Sequence, residues 1–85
     1  PAPFNPGGKV TIMASSKQPA RGRLLVFDAR GRTVRLLHGE SAGENQARIF
    51  WDGRDGQGRM VSSGVYFLRW DEGTETTGGK LVVVN

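Results

Sequence analysis

The segment 51–70 constrains the fold of this chain more than any other, because a glycine-rich turn in it joins two aromatic strands. Glycine allows backbone conformations that other residues avoid, and aspartate side chains accept hydrogen bonds from nearby amides. The turn is therefore predicted at Asp52, Gly53, Asp55, Gly56 and Gly58. Trp51 ends the strand before the turn, and a new strand starts at Gly64 and contains Tyr66. The segment predicts β-structure and offers no catalytic constellation.

The rest of the chain repeats this pattern of short alternating strands separated by turns. In the segment 46–51, for example, Ile49 and Trp51 fall on one face and Arg48 and Phe50 on the other. Strands are predicted at residues 9–14, 23–28, 33–38, 46–51, 59–61, 64–71 and 80–84, with a tight turn at Arg30-Gly31 and polar loops at 39–44 and 72–79. Seven short strands with regularly spaced turn signals favour an all-β, antiparallel β-sandwich over an OB-like barrel, which usually has five longer strands.

The size and composition of the chain limit its function. Its 85 residues form one small domain, and the lack of cysteine excludes disulfides, thiolate nucleophiles and cysteine-ligated metals. No apolar stretch approaches the roughly 18 residues of a membrane-spanning helix. Residues 1–7 are proline-rich and are predicted to be a linker or N-terminal extension, which leaves 8–85 as the domain. A signal peptide would begin differently, so we expect a piece of a longer protein.

The chain is basic, with a formal net charge of +4, so an anionic partner such as lipopolysaccharide, acidic polysaccharide or nucleic acid is physically allowed. The arginines that lie closest together in sequence are Arg21, Arg23, Arg30, Arg32 and Arg35. They alternate with apolar residues, which is typical of the solvated face of a strand. We therefore expect no nucleic-acid partner.

The glycine-rich turn can be considered as an ion-binding site and is better explained as a turn. Asp52 and Asp55 bring carboxylates together as a calcium loop would, but Arg54 and Arg59 interrupt the series of oxygen ligands that calcium needs. A phosphate cradle at the same glycines would need a helix after it, and a strand is predicted there instead. No metal and no cofactor are expected.

Catalytic residues are not expected either. His38 is the only histidine, and its neighbour in sequence, Ser41, lies in a loop with no orienting carboxylate motif. Asp28 and Asp52 stand at strand ends, where a role as hydrogen-bond acceptors in turns is favoured over a pair of catalytic carboxylates. The chain is therefore predicted not to be an enzyme.

Aromatic side chains are the remaining candidates for a binding site, because aromatic faces stack on sugars and bases. Trp51 and Tyr66 share their faces with apolar neighbours and are assigned to the core. Trp70 stands at a strand end and is expected to be exposed. Together with Phe50 or Phe67 it would form the platform of a sugar-binding module.

Four segments, taken in order, resemble one family of domains. They are Pro3-Phe4-Asn5-Pro6, the segment 26–35, the segment 51–70, and finally Lys80, Leu81, Val82, Val83 and Val84. The chain resembles the C-terminal Ig-like domains that include the sorting domains of type IX secretion cargo, and it is similar to the Ig-like domain of the flagellar hook-capping protein. The match extends over nearly the whole chain and implies an Ig-like β-sandwich.

The resemblance implies a non-catalytic module of a secreted, multi-modular protein, located in the medium or on the surface of a Gram-negative bacterium. The outer-membrane type IX machinery would be its partner, with Lys80 to Val84 in the recognition signal and a catalytic domain upstream in the same chain. Two alternatives remain open: a scaffold domain of a hook-capping type protein, and a carbohydrate-binding accessory module of a secreted hydrolase.

Overall fold

Alternating β-branched, aromatic and polar residues form strands along most of the chain. The structure, a computed structural model, describes residues 10–17, 21–73 and 76–84. The strands are β1 (Val10–Ser15), β2 (Arg23–Phe27), β3 (Thr33–His38), β4 (Glu40–Ser41), β5 (Gln46–Trp51), β6 (Gly64–Asp71) and β7 (Thr76–Val83). No helix able to span a bilayer is found in the part of the chain that the structure describes. The segment 1–7 and the start of the first predicted strand lie outside the described residues.

The strands form two antiparallel sheets, one with the order β1-β5-β4 and the other with the order β3-β2-β6-β7. Buried side chains of both sheets make one core, in which the rings of Trp51 and Tyr66 meet edge to face with their centroids 6.0 Å apart. Alternation places Ile49 and Trp51 in this core and leaves Phe50 exposed, as predicted. The all-β, antiparallel arrangement of seven strands, consistent with a β-sandwich, is confirmed.

One predicted strand and two predicted loops are wrong, although the number of strands is right. Residues 59–61 form no strand, and only Met60 makes an isolated bridge, to Arg54. The missing strand lies instead within the predicted loop 39–44, where Glu40 and Ser41 pair with β5. The last strand begins at Thr76, inside the predicted loop 72–79, because its backbone pairs with β6 over the full length of that strand.

Trp70 is buried, contrary to the prediction that it is exposed. Only 2% of its surface is accessible, because the odd-even alternation of β6 turns it inward with Tyr66. Its ring lies against Gly22 and Gly39, where a Cβ atom would come within 1.8 Å and 2.6 Å of the indole, respectively. The sugar platform that needed this side chain on the surface is therefore not formed.

A buried carboxylate ties the ends of the two sheets together. Glu72 follows β6, and its Oε2 accepts hydrogen bonds from Trp70 Nε1 at 3.0 Å and from Ser16 Oγ at 2.5 Å. Its Oε1 accepts the backbone amide of Lys17 at 3.1 Å. Ser16 and Lys17 directly follow β1, so this one side chain joins an edge strand of the smaller sheet to a central strand of the larger.

Candidate functional site

Two loops of the molecule have the same sequence pattern and the same hydrogen bonds. Residues 28–32 read Asp-Ala-Arg-Gly-Arg and residues 55–59 read Asp-Gly-Gln-Gly-Arg, and we refer to them as the twin loops. In both, the first residue's backbone amide donates to the carbonyl of the fifth, and the glycine amide donates back to the first carbonyl, at 2.8–3.0 Å. The two glycines, Gly31 and Gly58, have φ angles of 85° and 84°.

The aspartate side chain completes each loop. Oδ1 of Asp28 accepts the amides of Arg30 and Arg32 at 2.9 Å and 3.0 Å. Oδ1 of Asp55 accepts those of Gln57 and Arg59 at the same two distances. The role of the aspartates as turn acceptors is the one predicted from the sequence. The repeated Asp-x-x-Gly-Arg pattern is a signal that sequence reasoning missed, although it is visible in the sequence alone.

The twin loops lie side by side at one end of the molecule. The amide of Gly56 in the second loop donates to the carbonyl of Val34, just beyond the first loop, at 3.0 Å. Between the loops lies a groove of about 620 Å³, whose walls include Asp28, Asp55 and Tyr66. The hydroxyl of Tyr66 donates to the carbonyl of Ser62 at 2.7 Å and so fixes the chain that leads into β6.

Arg35 connects the larger sheet to the glycine-rich turn. Its Nη1 donates to Oδ1 of Asp52 at 3.2 Å and to the carbonyl of Arg54 at 2.8 Å. The same carbonyl accepts Trp51 Nε1 at 3.0 Å, and Asp52 Oδ1 also accepts the amide of Arg54. The prediction that Arg35 belongs to a solvated face is wrong, because its position in β3 is opposite the buried Val26.

The remaining predicted residues of the turn also have structural positions. The buried Gly53 accepts the amide of Val61 at its carbonyl at 2.9 Å, which closes the glycine-rich segment. Gly64 begins β6 opposite Val83 of β7. The motif predicted from sequence is therefore brought together as a scaffold that positions the loops.

The aspartates of this end of the molecule are held in their ionised form. The amide of Arg32 is the main cause that lowers the pKa of Asp28, and the amide of Arg59 is the main cause at Asp55. Burial raises the pKa of Asp52, but the amide of Arg54 and the charge of Arg35 outweigh it and keep the pKa below its ordinary value. These carboxylates are already bound by amides and guanidinium groups, and no cluster of three possible metal ligands occurs among the described residues.

The two residues considered as a catalytic pair belong to different sheets. His38 ends β3 in the larger sheet and lies opposite Arg23. Ser41 lies in β4 of the smaller sheet, opposite Ala47.

Burial raises the pKa of the Tyr66 hydroxyl, with a smaller contribution from the charge of Asp28, so this phenol favours its neutral, hydrogen-bond-donating form.

The predicted recognition segment forms the second half of β7, the end strand of the larger sheet, and its last residue, Val84, follows the strand. Leu81 and Val83 are buried in the core, whereas Lys80 and Val84 are exposed. Val82 is half-buried and lies opposite Val65 of β6. Among the described residues β7 pairs only with β6, so its other side is a free sheet edge.

The larger sheet also has an apolar outer surface that sequence reasoning missed. Leu24 and Val26 of β2 point into the core. Because side chains alternate along a strand, Leu25 and Phe27 point outward. Their partners on the neighbouring strands point to the same outer side. We define the outer face as Leu25, Phe27, Leu36, Val65, Phe67 and Val82. The signal for it is the second apolar face of residues 24–27. Phe50 belongs to the smaller sheet, so it cannot join Phe67 in one platform.

Comparison of the chain with models of protein families, with curated proteins and with solved structures finds no match in any of the three.

Proposed function

We propose that this chain is a non-catalytic, Ig-like module of a secreted, multi-modular protein, which acts as a sorting signal for type IX secretion and for attachment to the cell surface. The observation that carries the proposal is the position of β7. The segment that the resemblance assigns to recognition, Lys80 to Val84, contains the second half of this edge strand, and its buried residues fix its place in the sheet. Secretion machinery of the outer membrane would be the partner.

An edge strand suits this role because it offers a row of backbone hydrogen-bonding groups to a second chain. An extended segment of a receptor can add to such an edge, with affinity from the backbone and selectivity from alternate side chains. Gly78 and Gly79 leave the backbone of β7 uncovered by side chains, and Lys80 adds a positive charge on the exposed surface. Leu81 and Val83 anchor the strand, so it is presented in one register.

The use of the polar side chains supports a non-catalytic module. Asp28 and Asp55 bind the amides of their own loops, and Asp52 binds the amide of Arg54 and the guanidinium of Arg35. His38 and Ser41 belong to different sheets. A general base needs a nucleophile or substrate proton within hydrogen-bond reach, and the aspartates have structural partners instead.

Export of a reporter tests the proposal. Residues 1–85, fused behind a signal peptide and a reporter, should bring the reporter to the surface or medium of a bacterium with type IX secretion. The same fusion should stay in the periplasm of a strain that lacks the secretion pore. Lys80→Glu should lower export, because it reverses the charge beside the free edge without touching the core.

Thr11→Glu is the matched control, since Thr11 is an exposed residue of β1, the edge strand of the other sheet. It should leave export unchanged. Deletion of 80–85 removes core residues and is informative only beside these folded variants. Export that persists without the pore would refute the sorting role, and a scaffold or carbohydrate-binding module would then replace it.

A further inference from the structure

The outer face combines apolar side chains with positive charge. Leu36, Val65 and Phe67 are 44%, 40% and 45% exposed, although a folded domain of this size has a small core and would gain from burying them. Contiguous exposed apolar surface of this kind marks an interaction site. The face therefore needs a partner that can cover apolar side chains.

Three cations border this apolar surface. Arg69 lies next to Leu25 and carries its guanidinium over the ring of Phe27, 5.2 Å from the centroid, and Lys80 lies opposite Phe67. Arg23 lies at one end, opposite Asp71. Asp71 is the only carboxylate on this side of the sheet among the described residues, and its Oδ1 accepts the amide of Gly73. None of the three cations forms an ion pair within the described residues, so the surface is positive.

The smaller sheet has a similar outward pair with its charge neutralised. Phe50 is 47% exposed, and the guanidinium of Arg48 lies 5.7 Å from the centroid of its ring. Here Glu40 accepts a hydrogen bond from Arg48 Nε at 3.1 Å, which cancels the charge. The two sheets therefore present equally exposed phenylalanines, one in a positive surrounding and one in a neutral surrounding.

We propose that the outer face docks on an anionic phospholipid surface, with the apolar side chains at the acyl boundary and Arg23, Arg69 and Lys80 at the phosphates. This goes beyond the proposed sorting role and does not depend on it. Binding of proteins to membrane surfaces grows with buried apolar area and with attraction between basic side chains and anionic lipids. Long basic side chains can reach the headgroups while their stems lie along the apolar surface.

Other occupants fit the face less well. A second copy of this chain would bring two domains of charge +4 together with their cations facing one another. A single-stranded nucleic acid would need aromatic faces on which to stack, but Arg69 covers Phe27 and the other side chains, apart from Phe67, are aliphatic. An amphiphile surface supplies both acyl chains and phosphate without such conflicts.

Co-sedimentation with vesicles tests the proposal. The chain should sediment with vesicles of equal parts phosphatidylcholine and phosphatidylglycerol, and not with phosphatidylcholine alone. High salt should weaken binding, because it screens attraction between exposed charges. Lys80→Glu should lower the partition coefficient at least about fivefold, the factor expected for one basic residue near an anionic surface. Phe67→Ser should lower the partition coefficient about tenfold, because it removes an aromatic ring that would be partly buried in the membrane.

Phe50→Ser is the matched control, because Phe50 lies on the smaller sheet and would not contact the membrane. It should change binding less than about twofold, as is usual for a surface substitution outside a contact. Circular dichroism of each variant establishes that it is folded, and if Phe67→Ser is not, Lys80→Glu and Arg69→Glu test the same face. Equal binding to both kinds of vesicle, or equal losses for Phe67→Ser and Phe50→Ser, would overturn the proposal. So would a dimer in solution that Phe67→Ser dissociates, or binding of single-stranded nucleic acid at this face without vesicle binding.

Discussion

The indole of Trp70 occupies space that Gly22 and Gly39 leave empty on neighbouring parts of the chain. Both positions require glycine, because a Cβ atom at either of them would overlap the ring. The same side chain donates its Nε1 proton to the buried Glu72. The position of the largest buried side chain of β6 is therefore set both by packing and by a hydrogen bond.

Gly22→Ala should destabilise the domain by about 1–3 kcal/mol or more, the range for forcing an extra methyl group into a packed core. The comparison variant is Gly79→Ala, because a Cβ at Gly79 meets nothing within 4 Å, and its cost should be small. Urea unfolding followed by circular dichroism measures both. The clash also predicts coupling: in a Trp70→Leu background, Gly22→Ala should cost much less, and simple additivity of the two changes would contradict it.

Acid should destabilise the domain through its loop aspartates. The pKa values of Asp28, Asp52 and Asp55 are lowered in the folded state from an ordinary 3.8. A lowered pKa adds stability that is present above the unfolded-state pKa and is lost as pH falls through the folded-state pKa. The urea midpoint should therefore be nearly constant above about pH 5 and fall below about pH 4.

Asparagine variants separate the charge from the turn. Asp28→Asn and Asp55→Asn keep an Oδ1 that can accept the loop amides but remove the titrating group. The double variant should show a shallower fall in the urea midpoint at acid pH than the parent chain. An acid limb of unchanged steepness would mean that other carboxyl groups cause the loss of stability.

The conformation of each twin loop is determined by a short sequence pattern and does not depend on packing against the core. In each, the aspartate, the glycine with positive φ and the fifth residue close the turn by contacts within the loop. A Cβ atom added at Gly31 or at Gly58 would meet no other atom within 4 Å, so only backbone conformation demands glycine there. The two loops should therefore respond alike to the same substitution.

Gly31→Ala and Gly58→Ala should each cost about 1 kcal/mol, because a residue with a Cβ pays that much to hold a left-handed conformation. The two losses in unfolding free energy should agree within a few tenths of a kcal/mol, which is the usual error when such an energy is inferred from the folded structure alone. Chemical denaturation of both variants measures this. If one loop tolerated alanine and the other did not, the equivalence of the twin loops would fail.

The strands that can be predicted from the sequence are those whose apolar residues alternate. β2, β3, β5 and β6 are located by their sequence pattern to within one residue, because one of their faces is buried. Glu40–Ser41 and the first half of β7 carry polar residues and glycines, and they are strands only because a neighbouring backbone pairs with them. That pairing leaves no pattern in the sequence. The prediction for Trp70 is wrong for a different reason. Its position at the end of a strand predicts exposure, whereas alternation along β6 places Trp70 on the same buried face as Tyr66.

The two sheets share one core, and this governs the behaviour of the molecule as a unit. Trp51 belongs to the smaller sheet and Trp70 to the larger, and both are almost fully buried. Glu72 adds a polar link between the sheets at one end, and Arg35 adds another toward the glycine-rich turn. Neither sheet can bury its inner face without the other.

Unfolding should therefore be a single cooperative transition, as is usual for small domains. Trp70→Phe leaves Trp51 as the fluorescent reporter of the smaller sheet, and Trp51→Phe leaves Trp70 as the reporter of the larger. In each variant the fluorescence transition in urea should coincide with the transition measured by far-ultraviolet circular dichroism. Separate midpoints within one variant would show that the sheets unfold independently.

The second twin loop also affects how the protein ages chemically. In an Asp-Gly pair the glycine nitrogen can attack the protonated side-chain carboxyl and form a cyclic imide, which reopens largely to isoaspartate. Within the loop, Asp55 is kept ionised by its amide partners, and the nitrogen of Gly56 is held by its hydrogen bond to Val34. The folded domain should thus accumulate isoaspartate at Asp55 more slowly than the same chain in urea at equal pH, as measured by peptide mapping, and equal rates would mean that the loop opens freely. The hydrogen bonds that shape the turn would then also determine how long Asp55 keeps its original peptide linkage.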